Sequence, residues 1–288
     1  MLARIRTYGS LVAFAHTIFA LPFAASAVVL SLAVPHAPLG LGRLLGMLAC
    51  LLCARTSAMA FNRWADRDID ARNPRTRMRH VPSGKVRAPE ALALAVVAAA
   101  GFLASAATLG LWPTILAPLV LAVLLGYSYA KRFTWAAHAW LGIALALAPG
   151  GAWLAMGARP GLGIICLMVA VVTWLTGLDT LYSLQDEDFD RQAGLRSIPA
   201  RFGTQKAIVF SEVSHVVTVV ALAACGIALR RGSAYALAVA VTAALLSYEH
   251  WLVRRRGLAA IGKAFFDVNA WISCGFFVLV LCDALLSR

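Results

Sequence analysis

Eight of the thirteen acidic residues in this 288-residue chain fall in two short windows, 66–70 and 179–190. In the first, Asn62, Asp66 and Asp70 recur every four residues. In the second, "DTLYSLQDEDFD", Asp179, Tyr182, Asp186 and Asp190 fall at i, i+3, i+7 and i+11. Residues so spaced stack along one face of a helix. Like charges at that spacing repel one another, so the stripes point to a ligand rather than to self-stabilisation. Two carboxylate stripes make a hard, oxygen-rich site that suits Mg²⁺, an ion that keeps several waters and takes one or two carboxylates beside phosphate oxygens. Arg72, Arg75, Arg77, Arg79, Lys85, Arg191, Arg196 and Arg201 flank the stripes and can surround an anion. The same cations also fit inside-positive topology and contact with lipid headgroups. Asp68, Glu187 and Asp188 fall off the stripes and are expected to be solvated.

The elements that must position these acids are membrane helices. The chain is 61% hydrophobic and 14% charged, with a mean hydropathy of +0.79, against roughly 45–50% and 25% in soluble domains. Apolar runs long enough to cross a bilayer, roughly 20 residues each, lie at 11–33, 43–62, 90–109, 111–130, 138–157, 161–184, 207–229, 233–252 and 264–286. Lipid offers the backbone no hydrogen bonds, so all nine must be helices. The expected architecture is all-α, a single polytopic membrane domain over residues 1–288. The first run carries His16 and Pro22 and is too long for a signal-peptide core, so it reads as a retained span.

A net charge of +13 raises the question of nucleic acid, but the cations are sorted by topology instead. Twenty of the 26 fall in the N-terminal tail and alternate loops, five fall on the opposite face, and Arg55 lies inside a span. This bias puts the N-terminus in the cytoplasm and the C-terminus outside, in a cell (inner) membrane, and supports the count of nine. The six cysteines sit in or near apolar runs and read as buried small hydrophobes, with no disulfide framework.

Both acidic windows follow an apolar helix and run into a basic cytoplasmic loop, after spans 2 and 6. Two related halves that serve one site are a common membrane-protein arrangement. A diphosphate at the mouth of an apolar bundle implies a ligand with a water-seeking head and a lipid-seeking tail, as in a polyprenyl diphosphate. Metal ions take up the charge that develops as diphosphate leaves. A water-excluding chamber protects the allylic cation left behind.

Asn62-x-x-x-Asp66-x-x-x-Asp70 with "NPRT", Arg79 and "PSG", and Asp179-x-x-Tyr182-x-x-x-Asp186-x-x-x-Asp190, resemble the two signature motifs of the UbiA-type intramembrane aromatic prenyltransferases. "FAHTIFALPFA", "ARTSAMAFNR" and "GLDTLYSLQDEDFDRQAGLRSIPARFG" are similar to the bacterial branch associated with menaquinone made through futalosine, and to 4-hydroxybenzoate polyprenyltransferases. The resemblance implies nine transmembrane helices around a central chamber, and a requirement for Mg²⁺. It implies that Asn62, Asp66, Asp70, Asp186 and Asp190 hold the diphosphate through Mg²⁺, largely by way of diphosphate oxygens and water. Asp179 and Tyr182 match second-motif positions, and Arg75 and Arg79 match basic positions over the diphosphate. Lys131 matches a cation at the end of span 4, with Tyr127 one turn earlier. Many members carry Asp where this chain has Arg63; the position is off the stripe, so little effect on metal binding is expected. The difference favours the branch apart from the ubiquinone enzymes.

Arg55 shares the face of Asn62, seven residues earlier and about 10 Å further into the span at 1.5 Å per residue. An intramembrane cation is a functional candidate by default, and the resemblance gives this position the carboxylate of the aromatic acceptor. That acceptor is 1,4-dihydroxy-6-naphthoate or 4-hydroxybenzoate, and the proton acceptor for the ring is left open. His16 lines the acceptor pocket or makes an interior hydrogen bond. Glu249-His250 and Glu212 with His215 read as structural pairs between helices. Asp267 and Asn269 read as cap or loop contacts, and Asp283 has no role assigned. A transporter of an anionic metabolite is the alternative, suited by paired broken helices and an intramembrane Arg. Against it, the acids sit where an anion carrier would place only cations. The Asp-x-x-Asp-Gly-x-x-Ala-Arg pattern of membrane phosphotransferases is absent.

Overall fold

The computed structural model describes residues 10–11, 17–257 and 263–287. Every regular element among them is helical: α1 (Thr17–Ser31), α2 (Leu41–Ala65), α3 (Arg67–Arg72), α4 (Ala88–Ala107), α5 (Leu111–Phe133), α6 (Ala137–Ala155), α7 (Leu162–Tyr182), a 3-10 turn over Ser183–Asp186, α8 (Glu187–Gln192), α9 (Ile198–Phe202), α10 (Thr204–Ala228), α11 (Ser233–Arg256) and α12 (Lys263–Leu286). Among the described residues, eight helices are long and apolar enough to cross a membrane, and α1 is a shorter apolar helix. The chain is a multi-pass membrane protein. The nine expected spans each find their helix, with 12–16 of the first, including His16, outside the described residues. The turn expected at Gly110 is present, and Gly110 takes a φ of 122°. The eighth span runs past its expected end to Arg256, because Arg254–Arg256 continue the last helical turn.

The chain divides into two compact units, Met1–Thr17 with Leu39–Ala130, and Ile18–Pro38 with Lys131–Arg288. In the first, α2 packs along α4 through small residues. Ala60, Ala91 and Ala95 are buried there, and the Ser57 hydroxyl donates to the Ala95 carbonyl at 2.9 Å. Lipid is as apolar as leucine, so membrane helices associate through close packing of small side chains and through such bonds. The second unit uses the same device on a larger scale. Gly142 on α6 lies against the Val172 carbonyl of α7, and a Cβ at Gly177 on α7 would come 2.5 Å from His215 on α10. Asp283 on α12 acquires a role: its carboxylate accepts the Gly232 and Tyr235 backbone N–H groups at 3.2 Å each, capping the start of α11 from a neighbouring helix.

Candidate functional site

The two acidic stripes do not lie on unbroken helices. In the first unit α2 ends at Ala65, Asp66 turns the chain with φ −95° and ψ 6°, and α3 takes up six residues. In the second unit α7 ends at Tyr182, a short 3-10 segment follows, Asp186 turns with φ −108° and ψ 5°, and α8 takes up six residues. Both turning residues occupy the sparsely used bridge region, common at turns and in active sites. Each short helix carries acids in its first turn and an arginine in its last, Arg72 or Arg191, which matches the helix dipole at both ends. Asp66 and Asp186 hold the N-cap positions, where Asp normally accepts a backbone N–H of the first turn. Neither side chain makes that bond, so neither carboxylate is used up in capping.

Around the first turn, the Asn62 amide donates to Asp66 Oδ2 at 2.8 Å and, more weakly, to the Ser128 hydroxyl at 3.5 Å. Asp70, four residues on, is buried, and Arg79 Nη1 donates to both of its oxygens, at 2.8 and 3.0 Å. Arg79 comes from the 73–87 loop. There Asn73 Oδ1 accepts the Arg75 backbone N–H at 2.9 Å, and the Thr76 hydroxyl donates to the Asp70 carbonyl at 3.1 Å. The Arg75 side chain is exposed. His80 in the same loop bonds Ser10 at 2.8 Å. Burial, then Lys85 and Arg63, hold its imidazole below the usual range, so it is the neutral form that makes the bond. Arg63 is no bystander: its guanidinium reaches Asn62 Oδ1 at 3.4 Å and lies within electrostatic reach of Asp66, Asp70 and Tyr127. Arg55 and Tyr127 are half-buried on α2 and α5.

Around the second turn, Asp186 and Asp190 are both buried. Lys131 Nζ stands 3.8 Å from Asp190 Oδ2. That oxygen has no hydrogen-bond partner among the described residues. Asp179 is bonded at 2.6 Å to Nδ1 of His138, a fully buried residue of α6 that its spacing did not single out. His138 Nε2 accepts the Ile198 backbone N–H at 3.3 Å. A neutral imidazole carries one hydrogen, so it must sit on Nδ1 and point at Asp179. Tyr182 is 39% exposed. Glu187 departs from expectation: it is bonded to Arg191 and Thr204 rather than solvated. Asp68 and Asp188 are solvent-exposed as expected, their side chains at 80% and 92%.

The residues fit a metal of one kind only. Among the described residues no group of three or more His, Cys, Asp or Glu converges as a closed cage. What exists is a pair of carboxylates at each turn, with a buried unbonded oxygen on Asp190. That donor set suits an ion which takes a few carboxylate oxygens and fills its shell from phosphate and water, as Mg²⁺ does.

The UbiA prenyltransferase family model matches residues 18–275. The chain is 31% identical over 235 residues to the 4-hydroxybenzoate octaprenyltransferase of Alkalilimnicola ehrlichii, covering 81% of this chain and 79% of the relative. It is 32% identical over 234 residues to the enzyme of the same name from Aromatoleum aromaticum, covering 80% and 77%. Among solved structures, the apo form of a UbiA homologue from Aeropyrum pernix K1 superposes with a TM-score of 0.83 at 33% identity, over 94% of this chain and 98% of that one. A UbiA homologue from Archaeoglobus fulgidus bound to GPP and Mg²⁺ has the same fold, with a TM-score of 0.75 at 18% identity over 97% and 99%. This chain belongs to the UbiA prenyltransferase family.

Proposed function

We propose that the protein transfers a polyprenyl group from a polyprenyl diphosphate to a small aromatic acid and releases diphosphate, in quinone biosynthesis. One observation carries the reading: two turns of the same construction, each with an N-cap aspartate that caps nothing and a buried aspartate four residues later. Relatives named for 4-hydroxybenzoate octaprenyl transfer, and a fold neighbour bound to GPP and Mg²⁺, support the choice of ligands. The family match runs through both compact units, which supports treating residues 1–288 as one functional domain.

Asn62, Asp66, Asp70, Asp186 and Asp190 are the residues that hold the diphosphate through Mg²⁺. The ion, when bound, supplies charge neutralisation to the departing oxygens. The rest falls to the chain. Arg75, Arg79 and Lys131 supply positive charge to the diphosphate. Arg79 and Lys131 already face Asp70 and Asp190, so each cation enters the reaction with its charge matched. Asn62 holds Asp66 in place through the 2.8 Å bond. His138 keeps Asp179 oriented, and Asp179 and Tyr182 complete the second motif as substrate-binding residues. Arg55 receives the carboxylate of the acceptor, and Tyr127, one turn before Lys131, is a further substrate-binding residue. The apolar helices exclude the water that would quench the allylic cation. A ring carbon of the acceptor then forms the C–C bond, and the ring loses a proton. The site lies at the cytoplasmic side of the cell inner membrane, with the N-terminus cytoplasmic and the C-terminus outside, as the distribution of cations supports.

The test offers 1,4-dihydroxy-6-naphthoate and 4-hydroxybenzoate side by side, with a polyprenyl diphosphate, to membranes containing the protein. A prenylated acid detected by mass spectrometry, with pyrophosphate released only when Mg²⁺ is present, is the expected result. Movement of the acid across the membrane without pyrophosphate release would overturn the reading in favour of a transporter.

A further inference from the structure

A second row of titratable side chains runs through the second unit, separate in sequence from both acidic motifs. It starts at Arg254 on α11, which is more than half exposed and grips Glu212 of α10 with two bonds, at 2.8 and 2.9 Å. Glu212 Oε1 lies 4.0 Å from His250 Nδ1. His250 Nε2 bonds His215 Nδ1 at 2.9 Å, and His215 Nε2 meets the Trp174 carbonyl at 3.1 Å. His215 Nδ1 lies 3.9 Å from Oε2 of Glu249, whose side chain is 1% exposed. Glu249 Oε1 accepts from the Asn269 amide at 2.8 Å, and Asn269 Oδ1 accepts from the Trp174 indole at 2.8 Å. Asn269 is therefore a fully buried bridge and not the loop contact expected of it. The titratable and charged groups facing one another here are Glu212 and His215 from α10, and Glu249, His250 and Arg254 from α11; α7 and α12 contribute Trp174 and Asn269.

The hydrogens in this row can be placed by elimination. A carbonyl only accepts, so His215 Nε2 carries its hydrogen and donates to Trp174. The Nδ1 of neutral His215 is then bare and takes its bond from His250 Nε2. Neutral His250 is left bare at Nδ1. Among the described residues, neither His250 Nδ1 nor Glu249 Oε2 has a hydrogen-bond partner, and both atoms are buried. A buried acceptor that receives no hydrogen is costly in a membrane interior. Each of the two would be satisfied by taking up a proton.

We propose that Glu212, His250, His215 and Glu249 form a proton path between the exposed rim of the second unit and the buried carboxyl of Glu249. A proton arriving from the Glu212 side binds His250 Nδ1. His250 Nε2 gives its hydrogen to His215 Nδ1, and His215 Nδ1 passes a hydrogen to the Glu249 carboxylate at Oε2, 3.9 Å away, which leaves both histidines neutral and His250 with its hydrogen on Nδ1. Each of these two hops breaks one N–H bond as the next bond forms, N–H at His215 and O–H at Glu249, each electron pair stays on its own atom, and nothing is oxidised or reduced. Ionisable side chains inside membrane spans mark proton relays elsewhere. The path requires no substrate, so it stands or falls apart from the transfer reaction proposed above.

The test is infrared difference spectroscopy on the full chain in phosphatidylcholine vesicles after a rapid drop in pH. A carbonyl stretch from a newly protonated buried carboxyl is expected in the wild type and is lost in Glu249→Gln, whose amide oxygen keeps the bond from Asn269. His250→Gln should leave the size of the band and slow its rise. If Glu249→Gln does not accumulate, Glu249→Asp should shift the frequency of the band. A band unchanged by either Glu249 variant, no band in the wild type, or a rise as fast in His250→Gln as in the wild type would each overturn the proposal.

Discussion

The turns at Asp66 and Asp186 are built alike and braced differently. Both end a membrane-spanning helix on a bridge-region aspartate, and both begin a six-residue helix that buries an aspartate four positions on. In the first, both oxygens of the buried acid accept from one guanidinium nitrogen of the loop that follows. In the second, it has only a lysine at 3.8 Å and an oxygen with no hydrogen-bond partner among the described residues. The second turn also has a histidine behind it, fixed in one tautomer, for which the first has no counterpart among its described contacts. The two turns share the placement of their acids and differ in the support around them. The first region is closed by a strong ion pair, and the second keeps an acceptor open.

The similarity is tested hardest by removing the turning acids. Asp66→Asn and Asp186→Asn should each lower kcat by about 10²–10³-fold, the scale of losing one charge-stabilising group. Mg²⁺-dependent pyrophosphate release checks this, with circular dichroism to show that the helices remain. A large loss from one and none from the other would break the likeness. Arg55→Ala, outside both turns, should raise the KM for the acceptor by about 10- to 100-fold, the worth of a hydrogen bond to a charged group, and leave that for the diphosphate nearly unchanged. Equal effects on both would remove Arg55 from its assigned role.

The difference in bracing is sharpened by three smaller changes. His138→Ala should cost about tenfold in turnover, the usual scale for removing a group that orients a functional side chain; a kinetic comparison with His138→Gln shows whether orientation is what was lost. Arg79→Ala strands a buried carboxylate and should destabilise the protein by about 1.5–3 kcal/mol, read as a drop in Tm in detergent. Lys131→Ala should cost less than about 1 kcal/mol, because an ion pair at this distance and exposure is weak. The reverse order of these two Tm shifts would contradict the contrast drawn here. Asp68→Asn and Asp188→Asn, on exposed positions, should stay within about 0.5 kcal/mol of wild type.

The spacing of apolar runs made the helices and their count legible in advance. It did not make the helix breaks legible, because a four-residue interval between Asp66 and Asp70 fits an unbroken helix as well as a turn followed by a new one. Depth was not legible either: Asp70, Asp186 and Asp190 are buried and Tyr182 is exposed, and a 3-10 segment follows Tyr182 where the spacing fits one continuous helix. His138 was missed because its partner lies 41 residues away, and nothing in "WAAHAW" hints at an acid nearby. Glu187 looked solvated for a similar reason: Thr204, which bonds it, stands 17 residues on. Arg63 lies off the stripe, and spacing alone did not show that its guanidinium reaches the first residue of the motif.

Gly177 has no side chain to act with, yet it controls a device built from other residues. A methyl group there would collide with the His215 ring, pushing it off the 2.9 Å contact with His250. An alanine two residues before Asp179 would thus damage proton traffic on α10 and α11 without removing any ionisable group from the chain. In a mutational scan this position would score as intolerant for a reason invisible at the position itself.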